Sequence, residues 1–329
     1  MAAPQAEEQN PCALVRSSAE AICAGATLVT IDDEAVQRLA ASLDADALLA
    51  GAFDHSLHFW DIDKPELVAQ YLLAVDALNY CFWPDGELEY EHLAGGLRAA
   101  LQADPQALDA ARLARIDGPG VRLLLRWPRP LPLEEERARL LREVGAVLLE
   151  QHGGQAGNLV RAAGGSAVQL VRLVTAAFPG FRDHAVHEGR QFFFYKRAQI
   201  FVGDMWGCFR GQGLGAFHDI GQLTMFADYR VPVVLRELGV LRYTPELAAA
   251  VDARRVLPAG GRQEAEIRGA TVAAVERLRA ALEARLLSEG RADAAGAVNS
   301  VQLDWWLWEE GERQRREHRP HHRTLTVFY

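Results

Sequence analysis

The chain has 329 residues, of which 50% are hydrophobic and 24% are charged, and its net charge at pH 7 is -9. This length allows a large buried core, either in one large domain or in two lobes, and the composition is ordinary for a globular protein. An acidic chain is poorly suited to wrapping long nucleic acid, which requires a basic surface, whereas a small phosphorylated ligand needs only a local basic site.

The N-terminus and the cysteines limit the class of protein further. The first ten residues, MAAPQAEEQN, have neither a basic start nor an apolar core, so no signal peptide is expected. No uncharged apolar run is long enough to span a bilayer. The four cysteines are scattered without a C-x-x-C pair, which predicts neither a zinc knot nor a disulfide framework. We therefore expect a cytoplasmic protein with no membrane partner.

Helical periodicity dominates the chain from its first third to its last. Predicted helices lie in VQRLAASLDADALLAGAF (36–53), ELVAQYLLAVDALNYCFW (66–83), LEEERARLLREVGAVLLEQHGG (133–154), GSAVQLVRLVTAAF (165–178) and GATVAAVERLRAALEARLLSEG (269–290). Strand candidates are few: VRLLLRW (121–127), QFFFY (191–195) and TLTVFY (324–329). Since no alternating βαβ pattern appears, we predict a mostly α fold over residues 1–329 as a single compact domain, which would allow two lobes around a cleft.

Residues 178–230 combine large aromatic side chains with isolated charges in an otherwise apolar stretch. The charged residues are Lys196, Arg197, Asp204, Asp219, Asp228 and Arg230, and the aromatic ones are Phe193, Phe194, Tyr195, Trp206, Phe217 and Phe226. Aromatic faces stack on flat rings, and charges hold a polar edge or a phosphate, so this block is a candidate ligand site. The alternative is a helical core with ion pairs on its rim.

Lysine is rare in this chain, since Lys64 and Lys196 are the only two, against 33 arginines. Lys64 lies in a polar turn and is expected to be solvated. A compact ammonium differs from a planar guanidinium in shape and hydration, so Lys196 is a candidate for a contact that arginine cannot make, with a phosphate or a catalytic carboxylate. Chance retention of a lysine explains it almost equally well.

Asp219 precedes an apolar-periodic run and resembles the start of a helix. With Gln222 three residues later it fits an N-cap and capping box, and Pro232 should end or kink the helix. On such a helix Thr224 and Asp228 would share one face, and Phe226 and Arg230 another. The helix dipole would favour an ionised carboxylate, which suits a reaction that develops positive charge, such as glycosidic cleavage. The alternative is a plain helix cap.

No metal or cofactor is predicted. Three histidine pairs have i, i+3 spacing, namely His55 with His58, His184 with His187, and His318 with His321. A metal needs three or four converging ligands and no H-E-x-x-H occurs, so surface or hydrogen-bonded imidazoles are the simpler interpretation. The glycine-rich GQGLG (211–215) lacks the third glycine and the preceding strand of a dinucleotide site.

Several unusual short motifs, in a fixed order along the chain, resemble those of the queuosine salvage protein family of queuosine 5′-phosphate N-glycosylases/hydrolases. They are NYCFW, FPGFRD…EG…FYKRAQI, DMW, FHDI, TMFADYR, RQE-x-EIRG (262–269), N-S-x-x-L-D-x-x-L-W (299–308) and the HHR…FY ending. The resemblance covers roughly residues 50–329 and is strongest after Phe178. Together the motifs are far more specific for this family than any one of them alone.

The resemblance implies a helical fold related to helix-hairpin-helix DNA glycosylases that acts on a free nucleotide and releases the base queuine. The family's catalytic carboxylate lies in the F-x-D-I motif, and the matching residue in this chain is Asp219. A monomer that needs neither metal nor long nucleic acid is expected. Two alternatives stay open: a related glycosylase on DNA or RNA, which the net charge disfavours, and a non-catalytic binding protein for a modified nucleoside.

Substrate contacts follow from the resemblance and the chemistry of the ligand. Thr224 and Asp228 are assigned to the edge of the base, and Phe82, Trp83, Phe226 or Trp206 to its faces. His58 is assigned to the cyclopentenediol arm. The phosphate is assigned to Lys196, beside Tyr195, together with Arg197, Arg230 or the pair His322 and Arg323.

Overall fold

The computed structural model describes residues 10–51, 53–187 and 189–329. The stretch on which no signal peptide is predicted falls almost entirely in residues 1–9, outside the described residues. The described helices are α1 Pro11–Gly25, α2 Asp33–Ser42, α3 Ala45–Ala50, α4 Pro65–Leu78, α5 Tyr90–Ala103, α6 Ala110–Leu113, α7 Gly118–Leu125, α8 Glu134–Gln151, α9 Ala156–Ala162, α10 Ala167–Ala177, α11 Lys196–Cys208, α12 Val231–Glu237, α13 Pro245–Asp252, α14 Arg262–Ser288, α15 Ala292–Ala297 and α16 Ser300–Arg313.

The strands are short and antiparallel, so the predicted mostly α class is confirmed. They are β1 Val29–Ile31, β2 His184–His187, β3 Arg190–Phe193 and β4 Leu241–Tyr243. In the described part of the chain they form two two-stranded sheets, β1 with β4 and β2 with β3. No helix among the described residues is long and apolar enough to cross a bilayer.

Two of the three strand predictions are wrong. VRLLLRW lies mostly in α7, which begins after the N-cap Asp117 and buries Val121 and Leu125 while Leu123 is exposed. Buried residues four apart define one face of a helix, and a seven-residue apolar run does not separate that pattern from a strand. TLTVFY has no strand, and a single bridge pairs Val256 with Arg323 just before it. QFFFY does form β3 over its first three residues.

The chain divides into two compact units, each assembled from discontinuous segments. Unit 1 comprises residues 1–51, 184–195 and 221–323, and unit 2 comprises residues 52–183, 196–220 and 324–329. The single domain expected from the sequence stays a prediction.

Unit 1 is built around the long helix α14, against which α1, α2, α12, α15 and α16 pack. Its residues from Glu264 to Val275 are buried on every side, so this half of α14 is a core helix. A Cβ atom at Gly269 would lie 2.7 Å from the Ile22 side chain. Glycine therefore permits the close crossing of α1 over α14.

Unit 2 is built around α4, which packs against α5, α8, α9 and α11. Every residue from Val68 to Leu78 is buried, including the polar Gln70 and Asp76. Gln70 is satisfied by the Leu108 carbonyl and the Ala156 amide. A carboxyl group at the fully buried position 76 is unusual and directs attention to its surroundings.

Candidate active site

Asp219 does not begin a helix, so the predicted capping box with Gln222 is wrong. Residues 220–222 form a single 3₁₀ turn and residues 223–228 have no regular structure. Pro232 stands in the first turn of α12, where its fixed φ and missing N–H are tolerated, and so it opens a helix where the sequence predicted an end. The helical faces predicted for Thr224 with Asp228 and for Phe226 with Arg230 are wrong for the same reason.

Asp219 caps a different helix, α10 of the same unit. Its Oδ1 accepts the N–H of Ala167 at 2.5 Å, and its Oδ2 accepts the hydroxyl of Ser166 at 2.6 Å and the N–H of Val168 at 3.4 Å. The side chain is half-buried. An anion at a helix N-terminus is favoured by the dipole and by the unpaired N–H groups there, so the start of α10 is a suitable place for a carboxylate.

Gly164 and Gly165 bring the start of α10 next to the segment that carries Asp219. Gly164 and Gly165 have positive φ values of +61° and +77°, which glycine adopts without strain. The N–H of His218 donates to the Gly165 carbonyl at 3.0 Å, and a Cβ atom at Gly165 would lie 3.3 Å from the Ala216 carbonyl oxygen. The segment before α10 therefore lies beside the segment that carries Asp219. Sequence reasoning missed Ser166, although Gly-Gly-Ser directly before a periodic helix is an N-terminal signal.

Lys196 begins α11 and is 4% exposed. Its N–H donates to Asp183 Oδ2 at 3.0 Å, and its Nζ donates to the Asn79 carbonyl at 2.9 Å. Its charge lowers the pKa of the buried carboxyls Asp76 and Asp204, but burial outweighs this and raises the pKa of Asp76 to about 8 and that of Asp204 well above its usual range. The Lys196 ammonium is therefore a counter-ion for two buried carboxyl groups.

Arg197 is fully buried and bonded to the main chain of unit 2. Its guanidinium donates to the Ala77 carbonyl at 2.7 Å and to the Gly180 carbonyl, and it lies 4.9 Å from the ring centre of Phe181. Burial lowers its pKa to about 10. These carbonyl contacts anchor α11, so the phosphate contact considered for Arg197 has no support in its placement.

His58 is also an interior residue of unit 2, 5% exposed. Its Nδ1 lies 3.2 Å from the Tyr71 hydroxyl and its Nε2 lies 3.4 Å from the Tyr90 hydroxyl. Burial lowers the pKa of His58 to about 4, so the imidazole is neutral at pH 7. A neutral imidazole between two hydroxyls is a polar site of fixed orientation.

The NYCFW motif follows directly after α4, which ends at Leu78, so the helix predicted over residues 66–83 ends five residues earlier than expected. Arg137 holds it by donating to the carbonyls of Leu78, Tyr80 and Cys81 at 2.7, 2.7 and 3.1 Å. Phe82 is buried, and the Trp83 indole N–H donates to the Thr324 carbonyl at 3.3 Å. The last residues of the chain dock here as well, since the Cys81 N–H donates to the Tyr329 carbonyl at 3.0 Å. Trp206, on α11, is half-buried.

In unit 1 the segment 223–230 carries four predicted contact residues. The N–H of Phe226 donates to Asp304 Oδ1 at 2.9 Å, which gives the carboxylate among the tryptophans of α16 a structural partner. The Thr224 hydroxyl donates to the Met225 carbonyl at 2.9 Å. Asp228 Oδ1 accepts the N–H groups of Arg230 and Val231, both at 2.9 Å, and so caps α12.

The end of this segment meets α16 and the histidines near the C-terminus. Arg230 pairs with Glu312 at 3.4 Å, and the ring of Tyr229 stacks on that of His321 with centres 4.5 Å apart. His322 is 2% exposed, and its pKa is lowered to about 3. Burial is the main cause, and the charge of the neighbouring His321 is the second. A neutral His322 would meet a phosphate through a hydrogen bond without charge.

Tyr195 is the last residue of its segment in unit 1. It has a φ of +50°, a strained value for a non-glycine residue, and its ring stacks on Phe193 at 5.4 Å between centres. Within residues 10–51, 53–187 and 189–329, no three His, Cys, Asp or Glu side chains converge as a metal site requires.

Comparison with known proteins gives a consistent result over nearly the whole chain. A family model for the queuosine salvage protein matches residues 57–329. Proteins described as queuosine 5′-phosphate N-glycosylase/hydrolase are similar to this chain in three distant organisms. The protein of Dictyostelium discoideum is 46% identical over 284 residues, covering 84% of this chain and 85% of its own length. Those of Sphaerobacter thermophilus and Mus musculus are 44% and 36% identical, covering 92% and 95% of this chain and 94% and 98% of their own lengths.

Proposed function

Because this chain belongs to the queuosine salvage protein family, we propose that it hydrolyses the N-glycosidic bond of queuosine 5′-phosphate and releases queuine for reuse in tRNA modification. The observation that carries this proposal is similarity over more than nine-tenths of the length of relatives named for that activity. A match of that extent includes both units, so the whole scaffold is shared with those relatives.

The chemistry of this substrate sets what the protein must supply. Queuine is a 7-deazaguanine, with carbon where a purine has N7, so an acid cannot assist its departure by protonating that atom. Catalysis must then depend on stabilising the ribosyl cation and on hydrogen bonds to the edge of the departing base. A fixed anion close to C1′ and polar groups at the base edge are the minimum requirements.

We assign the anion to Asp219. Its support is the geometry at the start of α10, where three donors hold the carboxylate in place while the side chain stays half-exposed. In this position it would stabilise the positive charge that develops at C1′. It would act either as the nucleophile at that carbon or as the base that directs a water to it.

The remaining contacts are proposals of unequal support. Neutral His58, oriented by two tyrosine hydroxyls, suits the diol arm. Phe82, Trp83, Phe226 and Trp206 stay assigned to the ring faces, and Thr224 and Asp228 to the base edge. For the phosphate, the half-buried Arg230 has better access than Lys196, which is enclosed with two carboxyl groups, and Tyr195 and His322 are assigned as neutral contacts.

No observation favours the alternative readings, a glycosylase acting on DNA or RNA and a silent nucleoside-binding protein. The likeness to helix-hairpin-helix glycosylases, the monomeric state and the cytoplasmic location stay predictions.

The test is incubation of the purified protein with queuosine 5′-phosphate, queuosine and guanosine 5′-phosphate, followed by chromatography for free base. Release of queuine from the first substrate is expected, with much slower release from queuosine. If none of the three releases its base, the protein is not this enzyme. Equal rates for queuosine and its 5′-phosphate would contradict the phosphate contact alone.

A further inference from the structure

Ser166 touches the carboxylate that we assign to catalysis, and it lies outside the motifs that carry the family resemblance. Resting on the proposed function, we infer that Ser166 is a positioning residue, whose hydroxyl holds Asp219 aimed with Oδ1 toward the reacting sugar. The support is the pattern of hydrogen bonds at the start of α10, within unit 2.

The direction of the hydroxyl proton follows from its second partner. Ser166 Oγ accepts the N–H of Gln169 at 3.0 Å, which makes Ser166 the N-cap of α10. A hydroxyl has one proton to donate, and Asp219 Oδ2 lies 2.6 Å from Oγ. An ionised carboxylate has no proton of its own, so the proton between these oxygens belongs to Ser166. The hydrogen bond is charge-assisted, which makes it stronger than one between neutral groups.

The two carboxylate oxygens differ as a result. Oδ2 accepts from Ser166 and Val168, whereas Oδ1 accepts from Ala167. A carboxylate oxygen has about two acceptor positions. Since Oδ1 has a single donor among the described residues, it keeps an acceptor position for a water or for the electron-poor sugar carbon.

The helix alone does not fix this arrangement. The Ala167 and Val168 N–H groups belong to the backbone and survive any side-chain change, so they would retain the carboxylate near α10. The Ser166 hydroxyl is the only side-chain donor to Asp219 among the described residues. Without it the carboxylate would turn more freely, which reduces the fraction of productive enzyme.

The experiment is the variant Ser166→Ala, assayed for release of queuine. We expect kcat to fall by about 10- to 100-fold, the range for one hydrogen bond to a charged group. KM should stay within about twofold, because Ser166 acts on the carboxylate and not on substrate affinity. Ser166→Thr retains the hydroxyl at this half-buried position and should restore kcat.

A matched control separates positioning from helix stability. Thr244 is the N-cap of α13, where its Oγ1 accepts the Leu247 N–H at 3.3 Å. Thr244→Ala and Ser166→Ala should lower Tm by similar amounts of a few degrees. Thr244→Ala should leave kcat and KM unchanged. If Ser166→Ala also shifts only Tm, Ser166 is a helix cap and the inference fails.

The inference and the proposed function fail in different ways. If wild-type protein releases no queuine, the proposed function is wrong, and the ¹³C carboxyl chemical shift of Asp219 still tests the inference, because this shift responds to loss of the Ser166 hydrogen bond. An identical chemical shift in wild type and in Ser166→Ala would overturn the inference. If Asp219→Asn abolishes activity while Ser166→Ala matches wild type, the assignment of Asp219 stands and that of Ser166 falls.

Discussion

Lys196 Nζ lies 2.9 Å from the carbonyl oxygen of Asn79, so the ammonium of one of the two lysines is an interior group of unit 2. It shares that interior with the carboxyl groups of Asp76 and Asp204, whose pKa values burial raises. Two neighbouring buried carboxyls that interact with one cation retain protons at pH 7, because both cannot ionise without excess buried charge.

Replacing Lys196 by Met should expose that balance as a pH-dependent loss of stability. Near pH 8 the variant leaves a buried carboxylate without its cation, and we expect the free energy of unfolding to fall by about 3 kcal/mol. At pH 5 the carboxyls are protonated in the folded state, so the loss should be smaller. Urea unfolding at the two pH values measures the difference.

The sign follows from the raised pKa of Asp76, about 8 in the folded protein. Such a group contributes stability that is present below its unfolded pKa and is lost as pH rises through the folded one. The second change Asp76→Asn, added to Lys196→Met, should recover most of the loss at pH 8. An equal loss at both pH values would contradict the counter-ion role. Lys196→Arg should not rescue, because a planar guanidinium does not fit the site of a compact ammonium.

His322 should make the protein less stable in acid. Its folded pKa of about 3 lies below the ordinary value of 6.5, so the unfolded chain binds the proton first and stability falls as pH drops below 6.5. Between pH 7 and pH 5 this group should remove about 2 kcal/mol from the free energy of unfolding. His322→Gln should lack that component, as measured by urea unfolding at both pH values. His218→Gln, at an exposed position, should behave as wild type; a wild-type slope in His322→Gln would contradict the prediction.

Arg137→Lys should destabilise unit 2 although it conserves the charge. The guanidinium is fully buried and reaches four carbonyls, those of Pro132, Leu78, Tyr80 and Cys81, which a single ammonium cannot do. Buried carbonyls left without donors should cost about 3 kcal/mol in urea unfolding. Arg139→Lys is the control, since its ion pair with Glu136 is exposed and should change stability by less than about 0.5 kcal/mol. Equal effects at the two positions would argue against the anchor.

Asp219→Asn should lower kcat for queuine release by about 10²- to 10⁴-fold, since the amide keeps the shape but removes the charge that stabilises the ribosyl cation. Queuine binding, measured by calorimetry, should change little. The Ala167 N–H can still donate to the amide oxygen, so Tm should stay within a few degrees of wild type. A variant with wild-type kcat would remove Asp219 from the mechanism.

How much of the fold the sequence predicts depends on the range of the interaction. The periods that predict α2, α4, α8, α10 and α14 are local properties of the chain, so these helices are found near their predicted positions. α7 was missed because a short apolar run satisfies two periods equally. Asp219 was a candidate from a predicted helix cap that the structure does not contain, and the F-x-D-I motif gives it a catalytic role only through the family resemblance.

The sequence by itself determined the helical class and drew attention to Asp219 and Lys196, because composition, periodicity and the order of short motifs are properties of the linear chain. Only the tertiary structure decided which groups face these charges. The donors to Asp219 come from the start of a helix about fifty residues earlier in the chain, and the partners of Lys196 come from α4 and from the middle of α11. Hydrogen bonds and charge interactions depend on distance in space, which folding sets, and local sequence does not encode it.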